Sequence, residues 1–338
     1  MRQTFRDPSR QATLERDGYV VVPLLDQSEV DALRAAHERL GRAPGDPGRA
    51  CQSSFHSYDA DYKQAVDREI RAVLDPHLEE VFDRQRPLPC NFIAKYPGGM
   101  GGFGLHQDLS LVDEDEFRSV EVWIALEDTN ETNGQLWMVP GSHTWLPTVR
   151  GIQSFPFAYG EVSRRIIDRH AVPVPVTAGT AVVFTHAILH CSFPNRTETP
   201  RLVAITDLIP EEAQHLHFFG DGDGNVEAYV IDESFWVENN PFTLHKPPPA
   251  SQKLGRVDFE HRSLTDEDLD RLVAEGRAIE VDHHPRGAIN AGRAWCHRCG
   301  EVFDGESPDR WIGNVTLLCD DCAVAEQAHA PTPAHVGS

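Results

Sequence analysis

Between about residues 90 and 210 the chain is a succession of short apolar runs separated by turn-forming residues, and this pattern constrains the fold more than any other feature. The runs are Asn91–Lys95, Val120–Leu126, Leu136–Val139, Val172–Val176, Thr180–Thr185 and Arg201–Ile209. They are rich in β-branched residues and too short for ordinary helices, while Asn133-Gly134, Pro140-Gly141 and Ala178-Gly179 carry the chemistry of tight turns. Many short strands punctuated in this way predict a mainly β barrel or two-sheet jelly roll. Upstream, Asp17-Gly18 reads as a turn before a further buried strand within Tyr19–Leu25. Asp26 and Glu29 then have the form of a capping box, and Val30, Leu33, His37 and Leu40 repeat on one helical face.

The three successive prolines Pro247-Pro248-Pro249 fit neither a helix interior nor a sheet centre, so they mark a domain boundary. The expected organisation is a catalytic domain over 1–245, a linker and helical segment over 246–290 with one helix at 265–275, a metal module over 291–326, and a disordered tail over 327–338. Acidic residues outnumber basic ones 53 to 31, and the net charge of −22 argues against a nucleic-acid or anionic-membrane footprint. With no secretory pattern at Met1–Arg6 and no long apolar stretch, a soluble, cytoplasmic protein is expected.

Four of the seven cysteines form two Cys-x-x-Cys pairs, Cys296/Cys299 and Cys319/Cys322, with nineteen residues between them. That spacing is the pattern of a four-thiolate zinc site in a ribbon-like module, closed and therefore structural rather than catalytic. Cys51, Cys90 and Cys191 read as small apolar residues.

His106-Gln107-Asp108 places an imidazole and a carboxylate two residues apart, on one side of an extended segment. His190, just after the apolar strand Ala181–Phe184, is the candidate third ligand. Two histidines and one carboxylate leave three positions open on iron(II), enough for a 2-oxoacid and dioxygen. A His-x-Asp triplet alone equally fits a surface hydrogen-bonded pair. What adds to it is Arg201, eleven residues beyond His190 at a strand start, where a guanidinium could grip a carboxylate in a bidentate fork.

Taken together, His106-Gln107-Asp108, Trp123 in Val122–Leu126, Asn133-Gly134-Gln135-Leu136, Val139-Pro140-Gly141-Ser142-His143, His186, His190, Ser192, Asn195 and Arg201 resemble the phytanoyl-CoA dioxygenase family of iron(II)/2-oxoglutarate oxygenases. With the opening Asp17–Val21 and its helix, the resemblance covers about two thirds of the chain. It implies a double-stranded β-helix (cupin-like jelly roll) with flanking helices, and iron held by His106, Asp108 and His190. It also implies 2-oxoglutarate held by Arg201 with Trp123, Ser192 and Asn91, and dioxygen as second cosubstrate. Related halogenases replace the carboxylate ligand by Gly or Ala; Asp108 therefore favours hydroxylation, or a related oxidation, of a small-molecule metabolite with release of succinate and CO2.

His186 either orients a ligand, lines the pocket or is a hydrogen-bonded strand residue, and His143 reads as structural. Arg164, Arg165 and Arg169 read as a solvated helix face. The pocket is expected to be lined by loops at 50–65, 98–105, 109–118, 151–170 and 215–242, which carry no recognition motif. A competing reading makes the zinc module the working part, docking a protein partner with the jelly roll as scaffold; the acidic residues around it disfavour nucleic acid.

Overall fold

In chain order the elements of the computed structural model are α1 (Pro8–Asp17), β1 (Tyr19–Pro23), α2 (Gln27–Leu40), β2 (Cys51–Ser53), α3 (Ala60–Val81), β3 (Gln85–Pro87), β4 (Asn91–Lys95), β5 (Phe103–His106), β6 (Val120–Ala125), β7 (Leu136–Met138), α4 (Ser163–His170), β8 (Val172–Val174), β9 (Thr180–Thr185), β10 (His190–Ser192), β11 (Arg201–Pro210), β12 (Leu216–Gly220), β13 (Val226–Val230), α5 (Glu233–Glu238), β14 (Lys253–Val257) and α6 (Asp266–Ala274). The structure describes residues 1–281 apart from 45–49, 98–101, 147–148, 152–154, 156–157, 222–223 and 241–245, and beyond 281 only the backbone of four short strands within 293–317. Cys296, Cys299, Cys319 and Cys322, and the tail at 327–338, lie outside the described residues.

Two antiparallel sheets face each other. The major sheet runs β1-β9-β6-β11-β4-β2 with β3 added on β11, and the minor sheet runs β5-β10-β7-β8. Between them, Ile93, Trp123, Ala125, Val182, Phe184, Val203 and Ile205 of the major sheet meet Leu136, Met138 and Val174 of the minor one. This is a jelly roll, and its strands coincide with the predicted runs to within a few residues.

Both faces of the major sheet are buried, because the N-terminal helices cover the outer one. Leu14 of α1, Val30, Leu33 and Ala36 of α2, and Val66, Ile70, Leu74 and Leu78 of α3 pack on Phe92, Ala94, Val122, Ile124, Val183 and Ala204. The four α3 residues recur every fourth position, so they form one stripe along the helix, and Pro76 sits on the opposite, exposed side. The capping box of α2 is present: Asp26 accepts from the Glu29 N–H at 3.0 Å, and Glu29 accepts from the Asp26 N–H at 2.8 Å. Asp26→Ala is therefore expected to lower stability by about 1 kcal/mol, read as a shift of the urea midpoint. Gly18 ends α1 at φ +83°, where a Cβ would stand 2.6 Å from His143 Nδ1; only glycine fits both the turn and that approach.

The outer face of the minor sheet is covered by segments from much later in the chain. Trp137, Leu189, Cys191 and Phe193 pack with Ile166 and Ile167 of α4 and with Leu264, Leu269 and Leu272 in and before α6. Arg165 pairs with Asp266 and Asp270, and Arg164 with Asp168, so this arginine face is committed to ion pairs. Within the segment expected as linker and helix, β14 completes a third sheet, β12-β13-β14, and α6 enters the core just described. Among the described residues no helix is long and apolar enough to cross a membrane.

Candidate active site

The three sequence-predicted metal ligands converge at one edge of the minor sheet. His106 closes β5, His190 opens β10, and the two are register partners, which brings their ring centroids to 4.1 Å. Asp108 lies two residues beyond β5; its backbone N–H donates to His186 O at 2.9 Å, and its carbonyl accepts from Arg150 Nε at 2.7 Å. Arg150 is itself fixed by an ion pair with Glu114. One nitrogen of each histidine and one carboxylate oxygen all lie within 4.8 Å of one another.

The donor set fits a metal ion. His106 Nδ1 lies 2.8 Å from Gly104 O and His190 Nδ1 lies 3.2 Å from Ile188 O, so each ring donates through Nδ1 and leaves the Nε2 lone pair free. Those Nε2 atoms stand 3.6 and 3.7 Å from the Asp108 carboxylate, beyond hydrogen-bond range, and Asp108 Oδ2 is buried without a partner. Burial, and then the neighbouring His106, push the His190 pKa down to about 4, so its imidazole is neutral at pH 7, as a ligand must be. The wall beside it is apolar, with Phe184 packed on the His190 ring at 4.8 Å.

A cationic pocket lies along the same face of the major sheet. Arg201, 2% exposed, has its Nε and one terminal nitrogen without partners, and its guanidinium carbon sits 5.4 Å from the Trp123 ring centroid. A buried guanidinium with free N–H groups is costly unless an anion joins it. Directly opposite Arg201 in register is Lys95, fully buried, whose ammonium donates to Ser192 O at 2.9 Å, Ser192 Oγ at 2.8 Å and Phe193 O at 2.6 Å. Ser192 therefore meets Lys95, and Asn91, four residues from Lys95 at the start of β4, accepts from Ser53 Oγ at 3.2 Å. Sequence reasoning missed Lys95; the available signal was a lysine on the same strand parity as Ile93 inside an apolar run.

A second polar group, also missed except for His186, occupies the other end of this face. His186 lies 2.7 Å from Ser119 Oγ through Nδ1 and 2.9 Å from Asp207 Oδ1 through Nε2; it is a side-chain-bonded residue. Glu121 is the register partner of Asp207 on β11 and of Phe184 on β9. His143 contacts Glu15 O at 3.2 Å, a structural tie between the Pro-Gly-Ser-His turn and α1.

The chain is similar to several known proteins. Phytanoyl-CoA dioxygenase domain-containing protein 1 of Danio rerio is 33% identical over 131 residues, covering 37% of this chain and 45% of that protein. The protein of the same description from Bos taurus is 34% identical over 149 residues, covering 40% and 51%. The chain thus spans about half the length of these curated relatives. A solved structure, the epimerase SnoN in complex with Fe3+, alpha ketoglutarate and nogalamycin RO, is 22% identical with a TM-score of 0.46, covering 78% of this chain and 98% of that one. The model of the family described as phytanoyl-CoA dioxygenase (PhyH) matches residues 14–203, more than half of the chain and all three metal-ligand candidates, and the protein belongs to that family.

Proposed function

We propose that the chain is an iron(II)- and 2-oxoglutarate-dependent dioxygenase that oxidises a small molecule. The observation that carries this reading is the triad itself: two Nε2 lone pairs and an unpartnered carboxylate oxygen brought together on one side of a buried position. His106, Asp108 and His190 would hold the metal, and the carboxylate at 108 keeps the hydroxylase rather than the halogenase ligand set. Arg201 would take the distal carboxylate of 2-oxoglutarate on its free N–H groups, with Trp123 beneath it and Ser192, pinned by Lys95, beside it. Asn91 stands on the same face, in one register row with Ile205 and Trp123.

When bound, iron with its 2-oxoacid and dioxygen supplies the oxidising power that removes hydrogen from the substrate, with succinate and CO2 released. The residues supply everything else. The backbone carbonyls of Gly104 and Ile188 hold both imidazoles in the ligand tautomer, and Arg150 with the His186 carbonyl fixes the backbone of Asp108. Phe184, packed on the His190 ring, would line the apolar side of the metal position, and Trp123 lies beside Arg201. For the C-terminal segment we propose a structural zinc bound by Cys296, Cys299, Cys319 and Cys322, supported by their spacing.

Anaerobic addition of iron(II) and then 2-oxoglutarate to metal-stripped protein tests the site through the visible charge-transfer band of a chelated 2-oxoacid. The wild type is expected to show the band and Asp108→Ala to need more iron(II) to reach it. Arg201→Ala should need at least about tenfold more 2-oxoglutarate, equivalent to about 1.4 kcal/mol. A wild type without the band, with iron and zinc both supplied, would overturn the oxygenase reading.

A further inference from the structure

The inner face of the major sheet carries charge at both ends. Arg201 and Lys95 stand opposite each other at one end, and Asp207 and Glu121 stand opposite each other at the other. The first pair is accounted for by a dianionic cosubstrate. The second has no such explanation: Asp207 and Glu121 are half-buried carboxyl groups, and like charges in direct register weaken a sheet. Asp207 has His186 at 2.9 Å, whereas Glu121 has no hydrogen-bond or ion-pair partner among the described residues.

Position connects this pair to the reaction. Glu121 is the register partner of Phe184, whose ring packs against the candidate ligand His190, and Asp207 is tied to His186, whose carbonyl holds the Asp108 backbone. A further buried residue lies within electrostatic reach of His186. His215 follows the turn leading out of β11, is 2% exposed, and has both ring nitrogens without partners; burial, then Arg86 and His217, and more weakly His186, disfavour its charge. The next residue, Leu216, donates its N–H to Leu111 O, in the loop that continues from Asp108.

We propose that Glu121 and Asp207, with His215, form the substrate-recognition subsite of this enzyme, and that its substrate carries a protonated amine seated between the two carboxylates. This rests on the oxygenase reading and places the cosubstrate and the substrate at opposite, oppositely charged ends of one sheet face. A cation between Glu121 and Asp207 relieves their repulsion and gives Glu121 the partner that the protein does not supply. A carboxylate or phosphate substrate is repelled, and a neutral one gains only hydrogen bonds.

The test uses full-length protein loaded anaerobically with iron(II) and 2-oxoglutarate, titrated by calorimetry with pentylamine, pentan-1-ol and pentanoate, three probes of similar size and different charge. Pentylamine should bind at least about tenfold more tightly than the other two. Glu121→Gln and Asp207→Asn should each remove that preference, while the iron–2-oxoglutarate absorption band persists in both variants. Equal binding of the three probes, or an unchanged amine preference in Glu121→Gln, would overturn the subsite with the oxygenase reading intact. Loss of the band in the wild type would instead overturn the oxygenase reading, and the subsite with it.

Discussion

Lys95→Met is expected to lower the unfolding free energy by about 3 kcal/mol, although methionine fills much of the same volume. The lysine is fully buried, and its three hydrogens go to Ser192 O, Ser192 Oγ and Phe193 O. Methionine would leave the two carbonyls without donors, and each buried unsatisfied acceptor costs about 1–3 kcal/mol. Opposing this is the relief of removing a buried amine: burial, and then the nearby Arg201, already push its pKa well below the ordinary lysine value. The carbonyl losses win because the amine is fully hydrogen-bonded, so removing it relieves no unsatisfied donor. Urea unfolding at pH 7 reads the effect directly. Coincident transitions for wild type and Lys95→Met would show that β10 does not depend on this tie.

Lys95 also marks the limit of what the sequence makes legible. The strands at 91–95, 120–125 and 180–185 stand out because Val, Ile and Phe are concentrated between turns, and such local chemistry survives in any fold. The metal ligands were legible for a similar reason, since His106 and Asp108 share one side of an extended segment whatever surrounds it. Lys95, Glu121 and Asp207 were not. In Val120-Glu121-Val122 the glutamate reads as the solvent side of a half-buried strand, the ordinary meaning of alternation. That inference fails here because α1, α2 and α3 bury the other face, so Glu121 and Asp207 stand half-buried on the inner face between the two sheets. The α3 stripe of Val66, Ile70, Leu74 and Leu78 was readable but obscured by Pro76, whose exposed position the spacing alone does not reveal. Residues 215–242, expected as pocket-lining loop, contain β12 and β13, whose alternating Leu216, Phe218, Val226 and Ala228 gain a buried side through packing with Phe155, Val149, Val257 and Phe259.

The buried histidines give the other large expected effect, a stability that depends on pH in a way a single substitution isolates. Burial, and then Arg86 and His217, push the His215 pKa down to about 3, against about 6.5 for an unfolded histidine. The group is neutral when folded and takes up a proton on unfolding at any pH between those values. Its contribution is therefore fully present above about pH 6.5 and is lost as the pH falls toward 3, at about 1.4 kcal/mol per unit. His186 works in the opposite direction: burial opposes its charge, but the Asp207 carboxylate outweighs burial and raises its pKa, so its contribution is lost as the pH rises. Burial, with Asp108 and Asp207, likewise raises Glu121. These groups remain in a His215→Phe variant, so they cancel when the two proteins are compared. In metal-free protein the stability of wild type relative to His215→Phe should fall by about 2 kcal/mol between pH 7 and pH 5. Urea midpoints for both proteins at both pH values measure it. A difference that stays constant would mean that His215 reaches solvent or a partner when folded, and would remove the buried, unpartnered ring from the proposed subsite.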